Sequence, residues 1–192
     1  MPAVSDERVN RLIRDRLQRT LDSLSSAGFS RQIAKRIRLD KVQVTGVELD
    51  GADGDTKPTR SAQSTVSCRV KVEQDMCNVA GNLHGGCGAW LVDHCSSLAL
   101  LALSGGDEQR WTTSGVSTNL NLNYLKAAPE LTADRVFQLG TNLNIVTEVL
   151  NFGRVTSLLE TKIYNADSNQ LLTVGWHTKQ DPQVKPSGKY KL

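Results

Sequence analysis

The sequence lacks any run of roughly 18 uncharged apolar residues, the length a membrane-spanning helix requires. Its only candidate, Cys87 to Leu103, is broken by Asp93 and His94, so no membrane span is expected. No apolar h-region follows Met1, so a secretory signal is not expected either. Cys68, Cys77, Cys87 and Cys95 form no Cys-x-x-Cys pair, which argues against a zinc site and for reduced thiols in a cytosol-like compartment. Also missing are a Gly-x-Ser-x-Gly elbow, a Walker motif and a His-Glu-x-x-His pair. Neither a metal nor a cofactor is therefore expected. A net charge of +3 suits a small anionic ligand but is too weak to argue for nucleic acid.

The 192 residues suffice for one domain with a small appendage, and 39% apolar with 22% charged residues is an ordinary globular composition. Residues 6–28 predict an amphipathic helix, with Val9, Leu12, Ile13, Leu17, Leu21 and Leu24 on one stripe and Gly28 as its stop. Asp6, Glu7, Asp15 and Asp22 count against a mitochondrial presequence there, so a cytoplasmic location is the expectation and a mitochondrial one the alternative. Two strands follow, from Ile37 to Val47 and from Val66 to Val72, separated by a polar segment, Asp50 to Thr59, that reads as loop. Beyond the apolar helical stretch the pattern is β. Val116, Thr118, Leu120, Leu122 and Tyr124 begin it, and a long strand is expected from Phe137 through Leu139 to Val149. Val155, Leu159 and Ile163 mark another strand, and Leu172, Val174 and Trp176 the last. Asn165 to Asn169 is a hairpin turn. One buried helix wrapped by a meandering antiparallel sheet satisfies this order with short connections. The division is then an N-terminal helix (1–30), a main domain (31–180) and a flexible tail (181–192).

The join between the turn-forming run Asn78 to Gly86 and the helix that follows is the most informative feature. That helix is apolar on nearly every face, so it must be buried, yet it carries one carboxylate, Asp93. Burying an ionised Asp costs several kcal/mol or more unless partners surround it. The unpaired N–H groups at the helix start make a site for a developing oxyanion, and Gly85 and Gly86 let a ligand approach the backbone. A structural role remains the bland alternative for each: a tight entry turn for Gly-Gly, and a hydrogen-bonded carboxylate for Asp93. Ser117 on its polar strand face reads equally as a solvent-facing residue, and His94 and His177 as ordinary satisfied histidines.

Asp93 lies eight residues beyond Gly85, roughly 12 Å along a helix axis. An oxyanion donor and an attacking group must both come within about 3 Å of the reacting atoms. Either Asp93 is uninvolved, or it works with the Gly85 of a second subunit in a two-fold dimer.

Asn78, the Gly81-Asn82-Leu83-His84-Gly85-Gly86 run, Leu91-Val92-Asp93, Gly115-Val116-Ser117 with Asn121 and Tyr124, and Gly175 to Lys179 together resemble the hotdog-fold acyl-CoA thioesterases. The nearest branch is that of thioesterase superfamily member 2 and the phenylacetate-pathway thioesterases, and the match covers about residues 30–180. The resemblance implies an α+β hotdog fold, an antiparallel sheet wrapped around one long central helix, here with an extra N-terminal helix. It implies hydrolysis of acyl-CoA to free acid and coenzyme A by a self-associating dimer or tetramer. In that scheme the Gly85 N–H polarises the thioester carbonyl, while His84 and Asn78 position substrate and loop. Asp93 of the partner chain acts as general base or nucleophile, and Ser117 holds the water. Gly86 completes the substrate contact. Lys126, Lys179 and Arg154 are candidates for the coenzyme's phosphates, although each also reads as a solvated strand-end cation. A hotdog hydratase or dehydratase and a non-catalytic acyl-CoA sensor are the alternatives. The first needs an acid–base His/Asp pair, and the second a helix–turn–helix that residues 1–30 do not contain.

Overall fold

The computed structural model describes residues 6–26, 28–50, 55–105, 111, 113–125 and 139–182. Six antiparallel strands form one sheet in the order β1-β2-β4-β5-β6-β3. These are β1 (Arg38–Asp50), β2 (Asp55–Lys71), β3 (Val116–Tyr124), β4 (Asn142–Phe152), β5 (Thr156–Asn165) and β6 (Leu171–Gln180). Helix α3 (Gly85–Leu101) packs against β2, β4, β5 and β6, as a helix apolar on nearly every face requires. This is the hotdog architecture.

The approach of sheet to helix is set by Gly175 of β6. A Cβ there would stand 2.8 Å from Val92 Cγ1 of α3, closer than carbon atoms pack. Leu91, Val92, Cys95, Leu98 and Leu100 on α3 meet Val66, Cys68, Leu143, Ile145, Leu159 and Ile163 from the sheet in one core, all of them buried.

Helix α1 (Glu7–Leu24) begins where the Asp6 carboxylate accepts from Arg8 N–H at 2.8 Å. Val9, Ile13, Leu17 and Leu21 repeat every four residues and are buried in the same core as the sheet. Its polar side chains cover the free edge of β1. Asn10 Oδ1 accepts from Val44 N–H at 2.8 Å, and Arg14 donates to the carbonyls of Leu39 and Asp40. A second helical turn, α2 (Arg31–Ala34), buries Ile33 and Ala34.

Three expectations are corrected. The polar segment Asp50 to Thr59 is not loop throughout, because its flanks extend the β1–β2 hairpin with Asp50 opposite Asp55 and Glu48 opposite Lys57. Pro58 fits because it sits opposite Val47 at a register shift, where Gly46 adopts φ +66°. The long strand does not reach back to Leu139, which lies in a turn ahead of β4; Phe137 is outside the described residues. Asp181 is not tail, since it is fully buried with its carboxylate accepting from Trp111 N–H at 2.9 Å.

If the Gly175–Val92 contact sets the sheet-to-helix distance, Gly175→Ala overpacks the core. Overpacking of this kind costs about 1–3 kcal/mol, which lowers Tm by roughly 3–10 °C in a domain of this size. A thermal melt identical to wild type would refute the close approach.

Candidate active site

The start of α3 is organised by its cap. His84, in extended backbone, accepts through Nδ1 from Gly86 N–H at 3.0 Å. That bond occupies the Gly86 donor and leaves Gly85 N–H without an acceptor among the described residues. Gly86 N–H is thus taken up by the cap, while Gly85 keeps the exposed N–H. Tyr124 at the end of β3 donates its hydroxyl to Gly85 O at 2.5 Å, which ties that strand to the helix start. Asn78 holds the preceding loop, its Oδ1 accepting from Ala80 and Asn82 N–H at 3.0 and 3.2 Å. Its amide nitrogen makes no bond among the described residues.

Two turns along α3, Asp93 faces strands β3 and β6. Ser117 Oγ donates to Asp93 Oδ1 at 3.3 Å, and Lys179 Nζ donates to Ser117 Oγ at 3.4 Å. An ionised carboxylate and an ammonium can only accept and donate respectively, so the hydroxyl gives its proton to Asp93 and accepts from Lys179, keeping a second lone pair free. Lys179 Nζ also stands 3.9 Å from Asp93 Oδ1. The register explains the meeting: Ser117 pairs with Lys179 across the β3–β6 ladder. Lys179 was expected on an exposed phosphate-binding patch. It is instead 3% exposed, and burial lowers its pKa although the Asp93 charge opposes the shift. Lys126 falls outside the described residues, and Arg154 lies exposed in the β4–β5 turn with no contact to the Asp93 cluster.

Asp93 itself is not buried within one chain. Its side chain is 43% exposed, on a stripe of α3 shared with the half-buried Trp90, His94 and Ser97. Trp90 and His94 stack there with ring centroids 4.8 Å apart.

Two further groups were not assigned a role from sequence. His177 is fully buried with Nε2 3.6 Å from Asp93 Oδ1, and its Nδ1 meets Ser96 Oγ at 2.6 Å. Ser96 also donates to Asp93 O at 3.0 Å. Gly175, His177 and Lys179 occupy alternate positions of β6, so period two placed all three on the inner face; Ser96 left no signal in the sequence. Burial, aided by the Lys179 charge and opposed by Asp93, brings the His177 pKa down to about 4. The imidazole is neutral at pH 7.

In the unfolded chain His177 titrates near 6.5. Between that value and about 4 the unfolded state binds a proton that the folded state refuses, so stability falls as pH falls. The loss is about 3 kcal/mol by pH 4. Thermal melts from pH 7 to 4.5 should show a declining Tm with a visibly shallower slope in His177→Gln. Equal slopes would mean that His177 carries no such proton linkage.

The description "thioesterase superfamily" belongs to the family model that matches residues 80–172, a span holding Gly85, Asp93 and Ser117. Acyl-coenzyme A thioesterase 13 of Homo sapiens is 33% identical over 119 residues, covering 62% of this chain and 74% of the relative. Zebrafish thioesterase superfamily member 2 is 22% identical, with TM-score 0.62 over 86% of this chain and 96% of its own. A hypothetical thioesterase protein of Streptococcus pneumoniae, solved with coenzyme A, is 23% identical, with TM-score 0.53 over 76% and 85% of the two chains. The structural likenesses concern the fold, while the human relative is matched over nearly three quarters of its length. The chain belongs to the thioesterase superfamily.

Proposed function

We propose that this protein is an acyl-CoA thioesterase whose active site is completed by a second copy of the chain. The carrying observation is the pairing of an uncapped Gly85 N–H with a carboxylate, Asp93, held by the Lys179–Ser117 donor chain on the same helix. At roughly 12 Å along the axis one helix cannot offer both to one carbonyl, so both reach one substrate only when the Gly85 of one chain meets the Asp93 of another. The acyl-CoA relatives and the coenzyme A in the S. pneumoniae structure support this choice of thioester.

In this reading the thioester carbonyl oxygen lies on Gly85 N–H, where the helix dipole and the unpaired donor stabilise developing negative charge. Water held by Ser117 and the partner copy's carboxylate attacks the carbonyl carbon, and Asp93 takes its proton. The tetrahedral intermediate collapses with cleavage of the C–S bond. The leaving thiolate has a pKa near that of cysteine, about 8.5, so no strong acid is needed. Asn78, whose amide nitrogen has no partner among the described residues, and His84, which fixes the cap, position the loop over the carbonyl.

The surface left open on one chain supports the shared site. β1 has its outer edge covered by Asn10 and Arg14 of α1, whereas β3 ends the sheet with its outer edge unpaired among the described residues. Val116, Leu120, Tyr124 and Leu125 are exposed along it. A two-fold partner on β3 would cover these side chains and the half-buried stripe of α3.

The hydratase alternative gains one observation, the His177–Asp93 proximity, but His177 is fully buried and offers no nitrogen to a substrate carbon. Acyl-CoA should therefore release thiol, detected with a thiol reagent. Hydration of a 2-enoyl-CoA without thiol release would overturn the assignment.

Asp93→Asn keeps shape but removes the base, and should lower kcat by roughly 10² to 10⁴. Ser117→Ala removes about one hydrogen bond and should cost less, roughly 5- to 50-fold. Near wild-type turnover in Asp93→Asn would remove that residue from the mechanism.

Asp93→Ala and Gly85→Pro should each be inactive, and exchange of their subunits should restore part of the activity, because one site in each mixed dimer keeps both intact groups. No recovery after exchange verified by mass spectrometry would refute the shared site.

A further inference from the structure

Away from Asp93, Arg36, Arg38, Arg69 and Lys71 line a cavity of about 470 Å³ where β1 begins and β2 ends, with Asn142 of β4 and Asp167 of the β5–β6 turn completing it. The ladder places these charges together. Arg38 is directly opposite Arg69, and Lys71, two residues on, shares the face of Arg69 opposite Asn142. Like charges directly opposite on antiparallel strands are destabilising, so the arrangement works against the fold unless an anion lies between them. Asp40 offsets Arg69 at 3.2 Å, and Glu73 and Asp75 hold Arg36 at 3.3 and 2.6 Å. Arg38 and Lys71 have no carboxylate partner among the described residues. Arg38 is braced instead by donating to the carbonyls of Lys35 and Ile37.

The cavity lies next to the start of α3. Asp75, the partner of Arg36, lines a second cavity of about 390 Å³ together with His84, Gly86 and Trp90. The Arg36–Asp75 ion pair thus stands between the two cavities, with Arg36 lining one and Asp75 the other. An elongated ligand with a carbonyl at Gly85 and several negative charges at its far end matches this layout.

Resting on the thioesterase reading above, we propose that the Arg36–Arg38–Arg69–Lys71 groove seats the phosphates of the adenine nucleotide end of the substrate's coenzyme A. Guanidinium groups suit that ligand because they grip phosphate oxygens in pairs, and Lys71 adds a point charge at the rim. The groove then replaces Lys179 and Arg154 as the anion site.

The test uses Lys71→Glu and Lys71→Ala, at an exposed position that leaves the Arg36 and Arg69 ion pairs in place. At low salt Lys71→Glu should raise KM for acyl-CoA about tenfold and Lys71→Ala less, with the difference from wild type shrinking as ionic strength rises. KM for the matching S-acyl pantetheine, which lacks the nucleotide, should change less than about twofold. Calorimetry with adenosine 3′,5′-bisphosphate, which requires no turnover, should show binding to wild type that weakens about tenfold in Lys71→Glu. Equal KM changes on both thioesters, or unaltered bisphosphate binding in the folded variants, would overturn the groove assignment. If wild type cleaves neither thioester, the thioesterase reading fails, while loss of bisphosphate binding in the variants would still establish a nucleotide-phosphate site.

Discussion

Everything in this chain is arranged around a helix that cannot face water. α3 is apolar on nearly every side, so the sheet must curl about it, and Gly175 lets β6 approach until its backbone nearly touches Val92. A six-stranded sheet still leaves one stripe of that helix open, and Asp93 lies on that stripe at the boundary with β3 and β6. Full burial of an ionised carboxylate costs several kcal/mol or more. At the boundary that cost is reduced, while Ser117 and Lys179 remain within reach. The most hydrophobic segment can therefore carry the most polar task.

The His84 cap makes a further choice that two consecutive glycines alone leave open. By accepting from Gly86 N–H it satisfies one orphan donor of the helix and leaves the Gly85 donor open to solvent. Tyr124 secures the same residue from its carbonyl side. Donor, cap and brace come from three separate parts of the chain, the loop before α3, α3 itself and the end of β3. The geometry of the N–H is fixed by tertiary structure rather than by the loop alone.

Much of this was legible in the sequence. The four-residue spacing of Val9, Ile13, Leu17 and Leu21 located α1, and strict alternation from Val116 to Tyr124 located β3. His84-Gly85-Gly86 followed by an apolar run located the start of α3. Leu172, Val174 and Trp176 marked strand β6, but Thr173, His177 and Lys179 are also buried and Trp176 is half-exposed. Hydrophobic periodicity fails there because the inward positions serve the Asp93 cluster rather than the core. The hairpin flanks around Asp55 to Thr59 were hidden for another reason, since residues typical of turns pair well in a strand when a bulge absorbs Pro58. The basic groove was invisible because Arg36, Arg38, Arg69 and Lys71 come from two strand ends that only the β1–β2 register brings together.

The two edges of the sheet are treated in opposite ways, and that contrast bears on assembly. At β1, Asn10 and Arg14 satisfy edge N–H and carbonyl groups at Val44, Leu39 and Asp40, which prevents another strand from adding there. At β3 no helix intervenes among the described residues, and the exposed strand combines an edge unpaired by any of them with apolar side chains. An edge left open in this way is either an aggregation hazard or a place reserved for a partner. β3 is also the strand that contacts Asp93 through Ser117 and Gly85 through Tyr124. In the proposed dimer one contact surface meets three needs: it closes the edge, it covers the half-buried stripe of α3, and it brings a second Gly85 within range of Asp93. A partner binding elsewhere would leave all three unmet.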